Sequence, residues 1–254
     1  MLLEDARLTG QDIFTLLVDL KEAFDTIDNQ KMYKILHNLG YPEDAVSVVQ
    51  GLYENAFTQV VTPYGKTVPI RVQRGTLQGD SLSPFLFILY LEPLLRWLSV
   101  GGRGYQPGVL RTQDPNALVT FSNGTYADDI TLYTEGHSNM DLQAGKVSEY
   151  ATWGGLIVSQ SKTIATAALY KRQPKQPLDA GLVHRLLGSI QMQGKPITIH
   201  DPQDPYKLMG VWFSMDLKWN KQYMETVTSL RSMAAHLSRC YNSQSQNCGP
   251  CRHA

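Results

Sequence analysis

Cysteine is nearly missing from this chain, and the little there is lies at one end. All three cysteines, Cys240, Cys248 and Cys251, fall in the last fifteen residues. A disulfide framework is therefore excluded as the support of the core, and a reducing compartment is the default. Net charge is missing too: 23 Lys and Arg balance 23 Asp and Glu. That withholds the basic excess usual in nucleic-acid binders, although a local basic groove needs no excess in the sum. No apolar run is long enough to span a bilayer. The most apolar, Pro84 to Leu91, is followed at once by Glu92 and Arg96 and reads as a buried helix. The opening Met1-Leu2-Leu3-Glu4-Asp5 has no basic n-region and no small-residue cleavage site, so an intracellular protein, neither secreted nor membrane-bound, is expected. Several catalytic signatures are absent as well: no Gly-x-Ser-x-Gly, no phosphate loop ending Gly-Lys-Ser/Thr, no His-Glu-x-x-His and no dinucleotide fingerprint.

What is present describes an ordinary globular chain. Its 254 residues are 43% hydrophobic and 18% charged, enough for a substantial core in one large domain or one and a half. Residues 12–20 form an almost continuous apolar run ending Asp19-Leu20, the pattern of a strand buried on both faces with a carboxylate near its end. Asp28 is placed to cap a helix over 30–39, stopped by Gly40, and a second helix follows Pro42. Residues 58–72 read as a hairpin broken at Pro63-Tyr64-Gly65-Lys66. Asp80 or Ser81 is expected to cap a helix running to about Leu98, and a further helix covers 138–153. Leu156 to Val158 and Ile164 to Leu169 look like a strand pair. The proline-punctuated stretch 171–205 reads as a linker or irregular insertion with short strands at 188–192 and 197–200, followed by a strand over 206–213 and a helix over 220–240.

The acidic residues carry the chemistry. Asp128 and Asp129 are adjacent, between the β-prone flanks Leu118 to Phe121 and Ile130 to Tyr133, so a tight hairpin would hold both at its tip. Alone, an Asp-Asp pair is expected roughly once in a chain of this size, mostly in a solvated turn. Asp19 at another strand end changes its weight. An antiparallel sheet with helices on one face would gather Asp19, Asp128 and Asp129 at one edge. Three carboxylates side by side need cations, and two divalent ions with hard oxygen ligands suit in-line displacement at phosphorus.

These residues also carry a resemblance. Asp19 with Phe24-Asp25, then Gln78-Gly79-Asp80-Ser81-Leu82-Ser83-Pro84, then Tyr126-Ala127-Asp128-Asp129 stand in the order and spacing of the reverse transcriptases. The pattern is most similar to the non-LTR, LINE-like retrotransposon branch, over about residues 1–220. Gly155-Leu156 leading to Lys162-Thr163, with Ser159 where the pattern usually has Asn, and Tyr206 to Val211 are weaker matches.

The resemblance implies an α+β fold. Its core would be a polymerase palm-like antiparallel sheet with helices packed on one face (1–170). The insertion (171–205) and a partial helical thumb (206–254) would follow, with the fingers largely absent. It implies an RNA-directed DNA polymerase extending a primer 3′-hydroxyl on an RNA or DNA template from deoxynucleoside triphosphates. Two Mg²⁺ ions, or Mn²⁺ in their place, would be held by Asp19, Asp128 and Asp129. The alternative is a truncated retroelement remnant that binds nucleic acid without catalysis.

Among the nucleotide-binding candidates, Phe24 resembles the aromatic gate against a ribose 2′-hydroxyl. Gln78 and Gly79 resemble the nucleotide- and template-facing turn. Arg74 is either a contact to template or triphosphate or a solvated loop residue. Tyr126 lies behind the primer terminus or is simply a strand aromatic. Lys162 is either the lysine that meets the leaving pyrophosphate or an exposed turn residue. For the Cys240, Cys248, Cys251 and His253 tail, free thiols are preferred over a zinc site, because the spacings are irregular.

Overall fold

The computed structural model describes residues 2–77, 79–108, 119–208 and 210–247, the stretch 236–247 through its backbone alone. The cysteine tail lies outside the described residues or within that backbone stretch. Two compact units divide the chain, Met1–Pro202 and Gln203–Ala254.

The first unit is organised on β1 (Asp12–Val18). It is the middle of a five-stranded sheet with β8 (Asp129–Thr134) and β7 (Asn123–Tyr126) on one side, β10 (Ile164–Leu169) and β13 (Thr198–Ile199) on the other. All neighbours are antiparallel except β10 and β13. Register puts Phe14, Leu16 and Val18 opposite Thr134, Leu132 and Ile130 of β8. Phe14 and Leu16 also face Ala167 and Ala165 of β10.

These apolar side chains share one face and join a core with Leu86, Phe87, Tyr90 and Leu94 of α4 (Ser83–Ser99) and Met140, Ala144 and Val147 of α5 (His137–Gly154). Each such side chain fully buried contributes about 1.5–3 kcal/mol. The alternate residues Ile13, Thr15, Thr131, Thr166 and Ala168 are buried as well, so the centre of the sheet is covered on both faces, as the unbroken apolar run of β1 anticipates.

Helix ends follow local chemistry. The Asp28 side chain accepts from the Lys31 amide at 3.2 Å and caps α2 (Asn29–Asn38). Gly40 follows in the left-handed region with φ +88°. α3 (Glu43–Glu54) starts behind Pro42. At the far end of α5, Gly155 takes φ +73°. There the Tyr90 hydroxyl donates to the Gly154 carbonyl at 2.6 Å, and the Tyr150 hydroxyl donates to the Tyr90 carbonyl. Burial raises both phenols, Tyr90 to about 12, so they act as neutral donors that tie α4 to α5.

Several local expectations are corrected. An amino-terminal helix, α1 (Leu2–Thr9), precedes β1 and packs on it, with Leu3 and Ala6 buried. The expected cap of α4 at Asp80 or Ser81 is replaced by a start at Ser83; Asp80 instead accepts from the Leu82 amide in the preceding turn. Leu156–Val158 and 164–169 do not pair with one another. β9 (Ile157–Val158) pairs with β2 (Leu20–Lys21), while β10 enters the main sheet.

The hairpin over 57–71 forms in two short rungs. β3 (Phe57–Thr58) pairs with β6 (Ile70–Arg71), and β4 (Val61–Thr62) pairs with β5 (Gly65–Lys66). Residues 171–205, read as a linker or insertion, contain α6 (Ala180–Leu187) capped by Asp179, the hairpin of β11 (Gln191–Met192) and β12 (Lys195–Pro196), and edge strand β13. Val183, Leu187, Ile190 and Met192 belong to the core.

In the second unit, the strand expected over 206–213 is a hairpin, β14 (Tyr206–Leu208) with β15 (Val211–Phe213). It is followed by α7 (Asn220–Asn247), which begins as expected and runs beyond 240. The Trp212 amide donates to Gln222 at 3.0 Å and the Phe213 and Trp219 rings meet at 5.2 Å, fixing this hairpin to the helix.

Candidate active site

Val18 and Ile130 form the last register pair between β1 and β8. One step further along each strand stand Asp19 and Asp129. The register of the sheet, not local sequence, therefore brings the two carboxylates to the same end. Asp128 arrives through the β7–β8 turn, where Tyr126 pairs with Asp129 and only Ala127 and Asp128 lie between. The first strand of this hairpin is Asn123–Tyr126, not the apolar Leu118 to Phe121. Phe121 instead bridges Tyr105, and Leu118 lies outside the described residues. Ala127 holds φ +51°, a left-handed conformation that costs a residue with a Cβ about 1–2 kcal/mol.

The backbone of Asp19 is pinned from the opposite side. Its amide donates to the Thr163 hydroxyl at 3.2 Å, and its carbonyl accepts from the Ser159 amide at 2.8 Å. The same 159–163 turn carries Lys162, whose Nζ lies 3.9 Å from Asp19 Oδ2. The lysine is largely exposed, so this is a weak, solvent-screened pair. Burial, and then repulsion from Asp128 and Asp19, raise the carboxyl of Asp129 above its ordinary value. The negative charge here is thus only thinly compensated by the protein.

Hard carboxylate oxygens under mutual repulsion fit divalent Mg²⁺ or Mn²⁺ in kind. Among the described residues, no three His, Cys, Asp or Glu side chains already stand in ligand geometry.

A second feature is the cleft of about 410 Å³ lined by Phe24, Thr76, Gly79, Asp80, Ser81 and Pro84, among others. The Phe24 ring rests on Phe87 with centroids 4.7 Å apart, which fixes its orientation. Gly75 lets the two sides of the cleft approach one another. Its φ is +82°, and a Cβ there would lie 2.7 Å from Asp25 Cα and 2.9 Å from the Phe24 carbonyl oxygen. This approach lets Thr76 donate to the Phe24 carbonyl at 2.8 Å. Gly79 also has φ +87°, with open space where a Cβ would be. Gln78 lies outside the described residues.

The remaining candidates fall elsewhere. Arg74 sits 3.7 Å from Asp28 Oδ2, against Gly155. Tyr126 is 67% exposed at the end of β7, so it is not a strand aromatic packed into the core. The structure therefore groups Asp19, Asp128, Asp129 and Lys162, sets Phe24 with Gly79 in a cleft, and gives Arg74 a carboxylate partner of its own. Thr163 entered the sequence reading only within a weak motif match and Gly75 within none, since their structural roles arise from long-range contacts.

Residues 3–213 match the family model described as reverse transcriptase (RNA-dependent DNA polymerase). The Pol polyprotein of the type-2 retrotransposable element R2DM of Drosophila melanogaster is 29% identical over 63% of this chain and 14% of its own length. That of the R2 element of Popillia japonica is 23% identical over 82% of this chain and 32% of its own length. The chain thus spans less than a third of either relative. A solved structure of telomerase from Candida albicans with a fragment of telomeric RNA superposes at a TM-score of 0.54 and 14% identity, covering 84% of this chain and 31% of that one. It shows a shared fold. With the family model spanning most of the chain, these residues belong to a reverse transcriptase domain of the non-LTR retrotransposon kind.

Proposed function

We propose that this chain is the palm and the start of the thumb of an RNA-directed DNA polymerase, transferring deoxynucleotides to a primer 3′-hydroxyl. The observation that carries the reading is the convergence of Asp19, Asp128 and Asp129 at one end of the sheet, from elements over a hundred residues apart in sequence. In this reading Asp19 and Asp128 hold two divalent ions and Asp129 assists. Bound ions of this kind supply an activated hydroxyl and neutralise the triphosphate.

The chain's own residues do the positioning. Phe24, braced by Phe87, walls the cleft where a ribose 2′-hydroxyl would project. Gly79 faces the nucleotide, the N-terminus of α4 that follows it suits an anionic group, and Gln78 is assigned to nucleotide binding by the resemblance alone. Arg74 contacts template or triphosphate after leaving Asp28, and Lys162 meets the departing pyrophosphate beside Asp19. Tyr126 lies behind the primer end. The thumb begins with the 206–213 hairpin. The template is RNA, with DNA as an alternative, and the polymer grows from deoxynucleoside triphosphates.

Primer extension with Mg²⁺ or Mn²⁺ on an RNA template tests this. Asp128→Ala is expected to lower extension by at least about 10³-fold while the thermal transition is retained. Equal extension by Asp128→Ala and the parent chain, or none by the parent even with an added amino-terminal fragment of a relative, overturns it. Phe24→Val is expected to admit ribonucleotides roughly tenfold or more better relative to deoxynucleotides, measured as a kcat/KM ratio.

A further inference from the structure

A second pocket, of about 260 Å³, lies apart from the carboxylates, between the start of α2, the end of α3 and the strand exit 71–74. Asn29, Tyr33, Tyr53, Glu54, Arg71 and Arg74 are among its lining residues. Two observations mark it as more than a surface crevice. Tyr53 is 2% exposed, yet its hydroxyl has no hydrogen-bond partner. Asn29 likewise holds a buried side-chain oxygen without one. Buried polar atoms are normally satisfied, so a pair lining one pocket calls for a ligand that brings donors and acceptors.

The charges narrow its class. Arg71 and Arg74 are matched by Asp28 and Glu54. Arg71 already donates to the Glu54 carbonyl at 3.2 Å, and Arg74 is 3.7 Å from Asp28. A balanced pocket suits neither a phosphate nor a metal ion. It suits a neutral, planar group edged with donors and acceptors and able to lie against phenol rings or guanidinium planes. Tyr33 and Tyr53 supply the rings, while Asn29 and Gln73 supply amides.

We propose that this pocket receives an unpaired nucleobase of a single-stranded segment of the template. The proposal rests on the polymerase reading for the identity of the strand. The segment 71–76 supports the placement: Arg71 to Arg74 line the pocket, and Thr76, two residues on, lines the Phe24 cleft. In this reading a strand with one nucleotide in the cleft directs its neighbour toward the pocket along the 74–76 segment. Tyr53 and Asn29 then complete their hydrogen bonds on the base edge, while Arg74 stays paired with Asp28 at the rim.

The test uses the full chain and two fluorescein-labelled single strands of about ten nucleotides, one with bases and one abasic throughout, read by anisotropy without metal or triphosphates. The base-bearing strand is expected to bind roughly fivefold or more tightly than the abasic one. Tyr53→Phe, which keeps the ring and removes the hydroxyl, and Asn29→Ala are each expected to pull that ratio down about threefold. The thermal transition of Tyr53→Phe should stay level or rise, because an unpartnered hydroxyl is lost. A ratio unchanged in both folded variants, or no preference for bases in the parent, overturns the proposal. The readout contains neither metal nor triphosphate, so a failed polymerase reading and a failed pocket remain separable.

Discussion

Folding asks Asp129 to ionise beside two like charges, and the residue resists. Burial and the Asp128 and Asp19 carboxylates raise its folded-state pKa. The proton is therefore held more tightly in the folded chain than in the unfolded one. Stability is greatest below the unfolded value of about 3.9 and declines as pH rises through the folded value. Asp129→Asn removes that conflict. It is expected to raise the denaturation midpoint of the metal-free chain slightly at pH 7, with the gain vanishing near pH 3, while polymerase activity falls. An unchanged midpoint at both pH values would show that the repulsion is fully screened.

The carboxylates stood out in the sequence only in combination, because the commonplace Asp128-Asp129 pair gained weight from Asp19 at a second strand end. The structural roles of Thr163 and Gly75 did not stand out. Each looks ordinary until a partner from a distant segment arrives, Asp19 in one case and Phe24 with Asp25 in the other.

At the level of elements, the β7–β8 hairpin shows where sequence patterning misleads. Asn123-Gly124-Thr125-Tyr126 is a poor strand by composition, and the apolar 118–121 looked the better one. Pairing with β8 overrides intrinsic preference, as strand propensities allow. The consequence is a turn so short that Ala127 is pushed to φ +51°. Ala127→Gly relieves this and is expected to stabilise the chain by about 0.5–1 kcal/mol net of the added freedom of the unfolded state. Urea unfolding would read it, and a loss of stability would count against strain at this turn.

Elsewhere the local signals sufficed. β1 was visible from its unbroken apolar run, and α2 from the Asp28 cap and the Gly40 stop. Within 171–205 the short strands expected at 188–192 and 197–200 correspond to β11 and β13, whereas α6 went unanticipated because only the core makes so short a helix stable. Val183 and Leu187 could not be placed without knowing what they pack against.

Over the whole molecule, the sheet, α1 to α6 and the carboxylates all belong to Met1–Pro202, and every residue of the buried apolar cluster lies between Phe14 and Ile197. A fragment comprising 1–202 is therefore expected to melt in a single cooperative transition by circular dichroism. A broad, featureless melt would show that the second unit contributes to folding of the first.

The last strand before the junction is β13, held to β10 by only the pairs Ile164 with Thr198 and Ala165 with Ile199. A pull transmitted along the backbone from beyond Pro202 thus enters the first unit at a sheet edge. With two residue pairs against the six that join β1 to β10, this edge is expected to act as a mechanical fuse, opening under drag before the ladders of β1 are loaded and so sparing the spacing of Asp19 and Asp129.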